Sequence, residues 1–469
     1  MNRYCTLLVC LLTVAAFAGN GTYDKFYDRL PIPIQKVESV TIPNYSVCLS
    51  DYDCEGNGVC LCTDAFQKAI NDLEAHGGGR LVVPTGVWLT GPIELKDNIE
   101  LHIEHSAIIR FSPNKQLFLT NDKLFNGRVL PCIRAVGRKN IAITGHGVID
   151  GNGQQWRYIA RNKVSDVEWK RHRSMGGATV SEGRFWYPWK MKSGYPDIAE
   201  SPEQQEHMRN DLIRIMECEN VLIEGVVMRN SPRFHLHPVM CRNVIIDGIT
   251  VHSPWNSQNT DGIDLTDCHH VIVVNNTVDV GDDGICLKSV KPQKNKLSGC
   301  SDIIVENNTV FNAHGGFVLG SNTAGGIRDV VVRNNSFVGT NIGLRFKSAS
   351  DRGGRTERIY INNIMMTDII DGGVVFQCDY ANRKGNKMNE TLAAEKGQWI
   401  PEFQDIHMEE IHCHGASIGI KANGMQDKRC IYDITIKNSS FVYTTRATDI
   451  NQATTQINLD NVEMVEDRK

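Results

Sequence analysis

The sequence carries almost no charge imbalance. Its 50 Lys and Arg stand against 54 Asp and Glu, a formal net charge of −4. That excludes a nucleic-acid binder whose affinity comes from bulk positive charge, and leaves room for a local basic cluster that grips an anionic ligand. Nor is there an apolar run long enough to cross a bilayer, which takes about 20 residues. The one candidate lies at the start, where Arg3 precedes an apolar stretch from Thr6 to Phe17, and Ala16-Phe17-Ala18 stands before Gly19. A charged start, a short apolar region and a small-x-small site read as a secretory signal over residues 1–18. A lipid anchor at Cys10 fits less well, because most of the apolar run follows that residue. The expectation is a protein that is secreted or periplasmic, with no membrane span.

Paired C-x-x-C motifs are missing too, which argues against zinc among the crowded Cys48, Cys54, Cys60 and Cys62 and favours disulfides after export. Of the 15 cysteines, Cys5 and Cys10 lie in the signal, so an odd number remains and at least one has no partner within the chain. Cys241, Cys268, Cys286 and Cys378 sit among apolar residues and read as small core fillers. The 41% hydrophobic content is that of a folded globular chain. A length of 469 residues would suggest several domains, but an internal repeat overrides that.

The spacing predicts a helix after residue 63, with Thr63 as cap, Ala65, Phe66, Ala69, Ile70 and Leu73 on one face, and Gly77-Gly78-Gly79 as its stop. Leu81–Val83 follows as a strand. Beyond it, one short template recurs with starts at Asn220, Asn243, His270, Asp302, Asp329 and Arg358, 23 to 32 residues apart. A second strand set keeps step with it and aligns on Gly262, Gly284, Gly316 and Gly343. Asn pairs at 275–276, 307–308, 334–335 and 362–363 supply turns through left-handed backbone and side-chain hydrogen bonds. Hairpin signals are sparse, which speaks against a propeller, and the Leu/Asn pattern of leucine-rich repeats is absent. A repeat of this length that yields several strands per coil indicates a right-handed parallel β-helix, an all-β solenoid, over residues 63–469. Residues 19–62 form an N-terminal segment that the pattern leaves unassigned. Residues 154–210 interrupt the repeat with Trp156, Trp169, Trp186 and Trp189. This insertion either walls one end of a cleft and stacks on sugar rings, or packs its aromatics on themselves.

Aligned on those glycines, Asp261 and Asp283 occupy the position before the Gly. Asp282 and His314 stand one place earlier, Arg345 two places after, and Lys288 and Lys347 four places after. Equal positions on adjacent coils lie about 4.8 Å apart, so three carboxylates, an imidazole and several cations converge on one face. Three stacked aspartates repel one another, and at least one should hold its proton near neutral pH. That is what acid–base cleavage of a glycosidic bond requires. Arg345 and Lys347 alternate on one strand and share a face. They either neutralise the carboxylates or bind an anionic sugar.

Asn259-Thr260-Asp261, Gly281-Asp282-Asp283, His314-Gly315 and Arg345-Phe346-Lys347 together resemble, in order and spacing, glycoside hydrolase family 28, the polygalacturonases, over roughly residues 60 to 450. The resemblance implies a right-handed β-helix that hydrolyses α-galacturonosidic bonds of pectin with inversion, using no metal or other cofactor. By the same resemblance Asp282 is the general acid, Asp261 and Asp283 activate water, and His314 supports the acid. Arg345 and Lys347 bind the substrate carboxylate, and Asn259 orients the site. Lys288 joins the substrate-binding candidates, as does His237, one coil before Asp261, for which a purely structural role is the alternative. An inverting pair should stand about 6.5–9.5 Å apart. Two positions depart from the family pattern: Ala313 replaces the first Gly of Gly-His-Gly, and Gly284 stands where Cys is common.

The expected substrate is a galacturonide polymer or oligomer, attacked from its end because the insertion closes one side of the cleft, by a chain acting as a monomer. Rhamnogalacturonan or xylogalacturonan hydrolysis is the alternative within the same chemistry. A Ca²⁺-dependent pectate lyase with Asp ligands and a non-catalytic glycan-binding β-helix are the alternatives outside it.

Overall fold

Short Val, Ile and Leu runs bounded by Asn, Asp and Gly wind into a right-handed parallel β-helix. The computed structural model describes residues 22–192, 194–380, 399–425 and 428–467; the secretory signal expected over residues 1–18 lies outside them. Every pairing between strands of the large sheet network is parallel; the central coils contribute three strands each, and toward the C-terminus these merge into longer strands such as Ile327–Val338 and Ile406–Asn423. One complete coil is Arg242–Asp247, Thr250–His252 and Ile263–Thr266, followed by His269–Val274, Thr277–Asp279 and Ile285–Ser289 above it. The glycine alignment read from the sequence is the observed register: Ile263 pairs with Ile285, Ile285 with Phe317, and Phe317 with Leu344.

Left-handed residues make the two tight turns of each coil. Asn140, Asn220, Asn243, His270, Asp302, Asp329 and Arg358 all have φ between +52° and +60° and follow one another up the stack. The template's first position is therefore a turn, where Asn and Asp tolerate this conformation best. Side-chain amides link that row: Asn220 donates to Asn140 at 3.1 Å and Asn243 to Asn220 at 3.0 Å. Asn275, Asn307 and Asn334 form the second left-handed row. The partners Asn276, Asn308 and Asn335 turn inward as a buried ladder, each amide donating to the next side chain at 2.9–3.0 Å. Inside, rows such as Val221, Val244, Val271, Ile303, Val330 and Ile359 are all but fully buried. Cys241, Cys268, Cys286 and Cys378 are buried free thiols, as expected of core fillers.

Two sequence expectations need correction. The solenoid begins before residue 63, since Ser46–Cys48 pairs in parallel with Gly79–Val83. The described part of the preceding stretch straps across the sheet's outer face, burying Tyr23, Phe26 and Val40 against Ala142, Leu222, Ile245 and Ile272. The helix is Thr63–Ala75, but Thr63 does not cap it; its hydroxyl accepts the Gly91 N–H at 2.7 Å. Among the four crowded cysteines one disulfide forms, Cys54–Cys62, and leaves Cys48 and Cys60 as thiols.

The insertion stands between Val148–Asp150 and Ile213–Met216 as a three-stranded antiparallel sheet with two short helices, Asp166–Ser174 and Pro202–Glu206. Its tryptophans pack inward: Trp156 and Trp186 are no more than 2% exposed. Trp186 Nε1 donates to the Gly176 carbonyl at 2.9 Å, and Trp156 meets Phe118 edge-on. Stacking of these rings on sugar is thus ruled out by burial. Gln258 donates to the Tyr158 carbonyl, Asn256 to that of Lys163, and Arg209 to Asn259 Oδ1, so the insertion braces the loop that leads to Asp261.

Candidate active site

The loops that enter one sheet carry the chemistry. The connection before Ile263–Thr266 holds Asn259 and Asp261; the one before Ile285–Ser289 holds Asp282 and Asp283; the one before Gly315–Thr323 holds His314. Since these strands start in register, carboxylate oxygens of Asp261, Asp282 and Asp283 come within 4.8 Å of one another. This is tighter than the 6.5–9.5 Å expected for a two-carboxylate inverting pair, because consecutive coils and consecutive residues supply the group. Carboxyl spacing alone therefore does not assign the stereochemistry here.

Each carboxylate faces its own basic side chain. Lys288 Nζ lies 3.1 Å from Asp261 Oδ2 and 2.5 Å from Asp264 Oδ1. His314 Nδ1 lies 3.2 Å from Asp282 Oδ1. Lys347 Nζ lies 2.6 Å and Arg345 Nη1 3.5 Å from the two oxygens of Asp283. A divalent cation in this group of aspartates would have to displace fixed ammonium and guanidinium groups, so the donor set does not suit Ca²⁺, which takes six to eight oxygens.

The environments push the carboxyls apart. Burial raises Asp261 well above the carboxylate range, and the charges of Asp264, Asp282 and Asp283 add to this against the pull of Lys288. Burial also opposes ionisation of Asp282, but the hydrogen bond and charge of His314, the charge of Lys347 and the Asn259 N–H at 3.1 Å outweigh it and hold this carboxyl low. Burial and the neighbouring charges thus favour a proton on Asp261 and ionisation of Asp282, the reverse of the arrangement a general acid at Asp282 needs at the moment of reaction. Such a set titrates as one unit.

The remaining expected residues fall as follows. Asn259, with φ of +54°, gives its N–H to Asp282 while its side chain is held by Arg209. His237 is corrected from a substrate contact to an internal group. Its Nδ1 meets Asp211 Oδ2 at 3.0 Å and its Nε2 meets Thr266 Oγ1 at 3.1 Å, so neither nitrogen is free, and burial keeps the ring toward neutral. Lys288, expected to bind substrate, is already paired with Asp261 and Asp264 and serves them as a counter-ion. Lys347 is 5% exposed and neutralises Asp283, whereas Arg345 keeps a buried Nε without a partner. Ala313 does not require the glycine it replaces, because its φ is not positive. At Gly284 a Cβ would meet Val310 Cγ1 at 2.5 Å, so Val310 fills the space that a larger residue would need.

Two residues escaped the sequence reading, and a third, His235, stood in it without a role. Asp264, fully buried, stands in the same outward row as Arg345, two places after the aligned Gly. Tyr380 places its ring 5.5 Å from the Arg345 guanidinium and 5.0 Å from Lys347 Nζ; continuing the strand register one coil further, to Gly372–Gln377, points to its neighbourhood. His235, buried beneath the loop, bonds the Asp261 carbonyl through Nδ1 at 3.0 Å and Ser253 Oγ through Nε2 at 3.0 Å, and burial lowers it to about 4. It carried no signal beyond its position one coil earlier.

The sequence profile described as Glycosyl hydrolases family 28 matches residues 175–458, more than half of the chain. An exo-poly-alpha-D-galacturonosidase of Dickeya chrysanthemi is 28% identical over 350 residues, which are 72% of this chain and 58% of that protein. The chain thus spans well under two thirds of that relative's length. A protein of Vitis vinifera described as "Probable polygalacturonase" is 28% identical over 382 residues, 78% of this chain and 70% of that one. Among solved structures, a hyperthermoactive exopolygalacturonase from Thermotoga maritima superposes with a TM-score of 0.71 at 29% identity and covers 92% of this chain and 94% of its own.

Proposed function

Because the chain belongs to glycosyl hydrolases family 28, we propose that it hydrolyses α-galacturonosidic bonds of pectin, acting from the end of the galacturonide chain. The observation that carries this reading is the meeting of Asp261, Asp282 and Asp283 beside Arg345. Arg345 takes the carboxylate of a substrate galacturonate, with Tyr380 and Lys347 fixing its position. Docking that anion offsets positive charge that holds Asp282 ionised, so the shared proton moves from Asp261 to Asp282. Asp282 then protonates the glycosidic oxygen as the bond to the anomeric carbon breaks. Asp261 and Asp283 hold water and take its proton as its oxygen bonds that carbon, and the cluster regains its starting charge. One proton is given and one received, and inversion follows if the water attacks opposite the leaving oxygen.

End attack is supported by the insertion, whose Arg209 holds Asn259 beside the carboxylates. One solenoid carries every residue of the site, which supports a working monomer. Among the described residues no helix is long and apolar enough to cross a membrane. A site outside the cytoplasm, secreted or periplasmic, follows from a polymeric substrate and the apolar N-terminal stretch. Reducing-sugar release from polygalacturonate tests the reading, with monogalacturonate expected as the first product and proton NMR expected to find it in the inverted configuration. Ultraviolet-absorbing unsaturated product that depends on Ca²⁺ would replace it with a lyase, and binding without turnover would replace it with a lectin-like role.

A further inference from the structure

One guanidinium connects the loops of successive coils at the edge of the site. Arg209 stands before Ile213–Met216, Pro232 before Leu236–Val239, Gln258 and Asn259 before Ile263–Thr266, and Asp282 before Ile285–Ser289; these strands pair in that order. Arg209 Nη1 donates to the Pro232 and Gln258 carbonyls, each at 3.0 Å, and Nη2 donates to Asn259 Oδ1 at 2.9 Å. Nε faces Glu206 Oε1 at 2.6 Å, so a carboxyl of the insertion holds the fork from behind. The two side chains are only 7% and 9% exposed. A planar fork serves several acceptors in fixed directions, which the single ammonium of a lysine does not.

The Gln258 carbonyl and the Asn259 N–H belong to one peptide plane. In a trans peptide the two point opposite ways. Here the oxygen accepts from Arg209, and the N–H donates to Asp282 Oδ2 at 3.1 Å. Asn259 has φ of +54°, a left-handed conformation that a residue with a Cβ adopts at a cost. Turning the plane over by half a revolution would return φ to negative values and present the Gln258 oxygen, in place of the N–H, to Asp282. The bond from Arg209 opposes that turn. A charged donor binds a carbonyl more strongly than a neutral one, and it polarises the N–H at the other end of the same peptide. The bonds to Pro232 and Asn259 Oδ1 keep the guanidinium from following the carbonyl.

We propose that Arg209 is a positioning residue for the general acid: through the Gln258–Asn259 peptide it holds a backbone N–H on Asp282. The proposal rests on the galacturonide reading above and gives the insertion a part in the chemistry. Asp282 also interacts with His314, Lys347, Asp261 and Asp283, and with Tyr158 of the insertion; all of these are retained when Arg209 alone is changed. Loss of the N–H withdraws one of the groups that favour ionised Asp282 and frees its carboxyl to leave the line of proton transfer.

The experiment compares the wild-type full chain with Arg209→Lys, which keeps the charge but not the fork, on polygalacturonate across pH, and thermal melts verify the folds. The expected result is that kcat falls about a hundredfold while KM stays within about threefold, and that the alkaline limb of kcat/KM moves up by about one pH unit. Should Arg209→Lys not fold, Arg209→Met, which keeps the packing of the stem, carries the same expectation. Wild-type kcat with an unmoved limb in a folded variant would overturn the proposal, and so would a loss confined to the melting temperature, the mark of a merely structural arginine. If the wild type hydrolyses no galacturonide, the catalytic reading fails, and the titration of Asp282 alone then decides. Carbon-13 NMR of aspartate-labelled protein, assigned through Asp282→Asn, should find that carboxyl about one pH unit higher in the Arg209 variant; an identical titration ends the proposal.

Discussion

The Nδ1 of His314 stands 3.2 Å from Asp282 Oδ1, one coil above it, and this contact does most to offset the burial of that carboxyl. Removing the imidazole removes a group that favours ionised Asp282. In His314→Ala the alkaline limb of the pH–rate profile, where the cluster gives up its last shared proton, should move to higher pH even as the maximal rate falls. Asp282→Asn should lose about 10²–10⁴ in kcat, the usual contribution of a general acid, with an unchanged melting temperature. Wild-type rates in Asp282→Asn would remove this residue from the chemistry.

Substrate should act in the same direction as that deletion. A galacturonate against Arg345 and Lys347 adds negative charge beside the aspartates, and negative charge raises every carboxyl in the set. Because kcat/KM reports the free enzyme and kcat the complex, the alkaline limb of kcat should lie about one pH unit above that of kcat/KM. Coincident limbs would show that binding does not redistribute the proton.

Asp264 works the other way. It is the first charged neighbour after burial to raise Asp261, and it shares Lys288 with it. Asp264→Asn deletes one negative charge from the cluster, so the alkaline limb should shift to lower pH. Lys288→Met leaves two buried carboxylates without their ammonium and should cost stability as well as activity, on the order of 3–5 kcal/mol, read by denaturant unfolding.

At Gly284 the prediction concerns packing. A methyl group there would sit 2.5 Å from Val310 Cγ1 and 3.0 Å from the Gly316 carbonyl. Gly284→Ala should destabilise the fold by about 1–3 kcal/mol, as overpacking does. Val310→Ala in the same chain should recover part of the loss, whereas strictly additive losses would show that the clash does not arise.

Glu206 makes stability depend on pH. Burial pushes its carboxyl up to about 7 against the opposing pull of Arg209. A carboxyl raised in the folded state contributes stability that is full below its ordinary value of 4.5 and is lost as pH rises through about 7. The difference amounts to about 3 kcal/mol across that window. Unfolding measured from pH 4.5 to pH 8 should fall less steeply in Glu206→Gln than in wild type; parallel curves would assign the pH dependence elsewhere.

The fold and the carboxylate cluster were legible because a solenoid turns linear spacing into neighbourhood. Once Gly262, Gly284, Gly316 and Gly343 are aligned, the contacts of Asp261, Asp283 and Arg345 follow from the strand spacing alone. What the alignment does not carry is how a charge is already spent. Lys288 and His237 look like substrate ligands until their partners Asp264 and Asp211 are seen, and those partners lie on rows whose meaning depends on burial. The tryptophans of the insertion were ambiguous for a related reason: composition does not say which way a ring faces. The charge state of Asp282 is set by His314, Lys347 and a backbone N–H from Asn259, a three-way balance with no signature in any one motif.

The left-handed asparagine and aspartate rows have a practical consequence. With two corners of every coil held by residues that satisfy their own backbone, the third connection, which bears the chemistry, is released from any duty to close the polygon. It can lengthen, as between Asp150 and Ile213, or exchange its side chains while the strands beneath keep their alignment. Specificity in this scaffold is therefore a replaceable edge on an invariant spine, and loops from sister proteins should transplant one coil at a time.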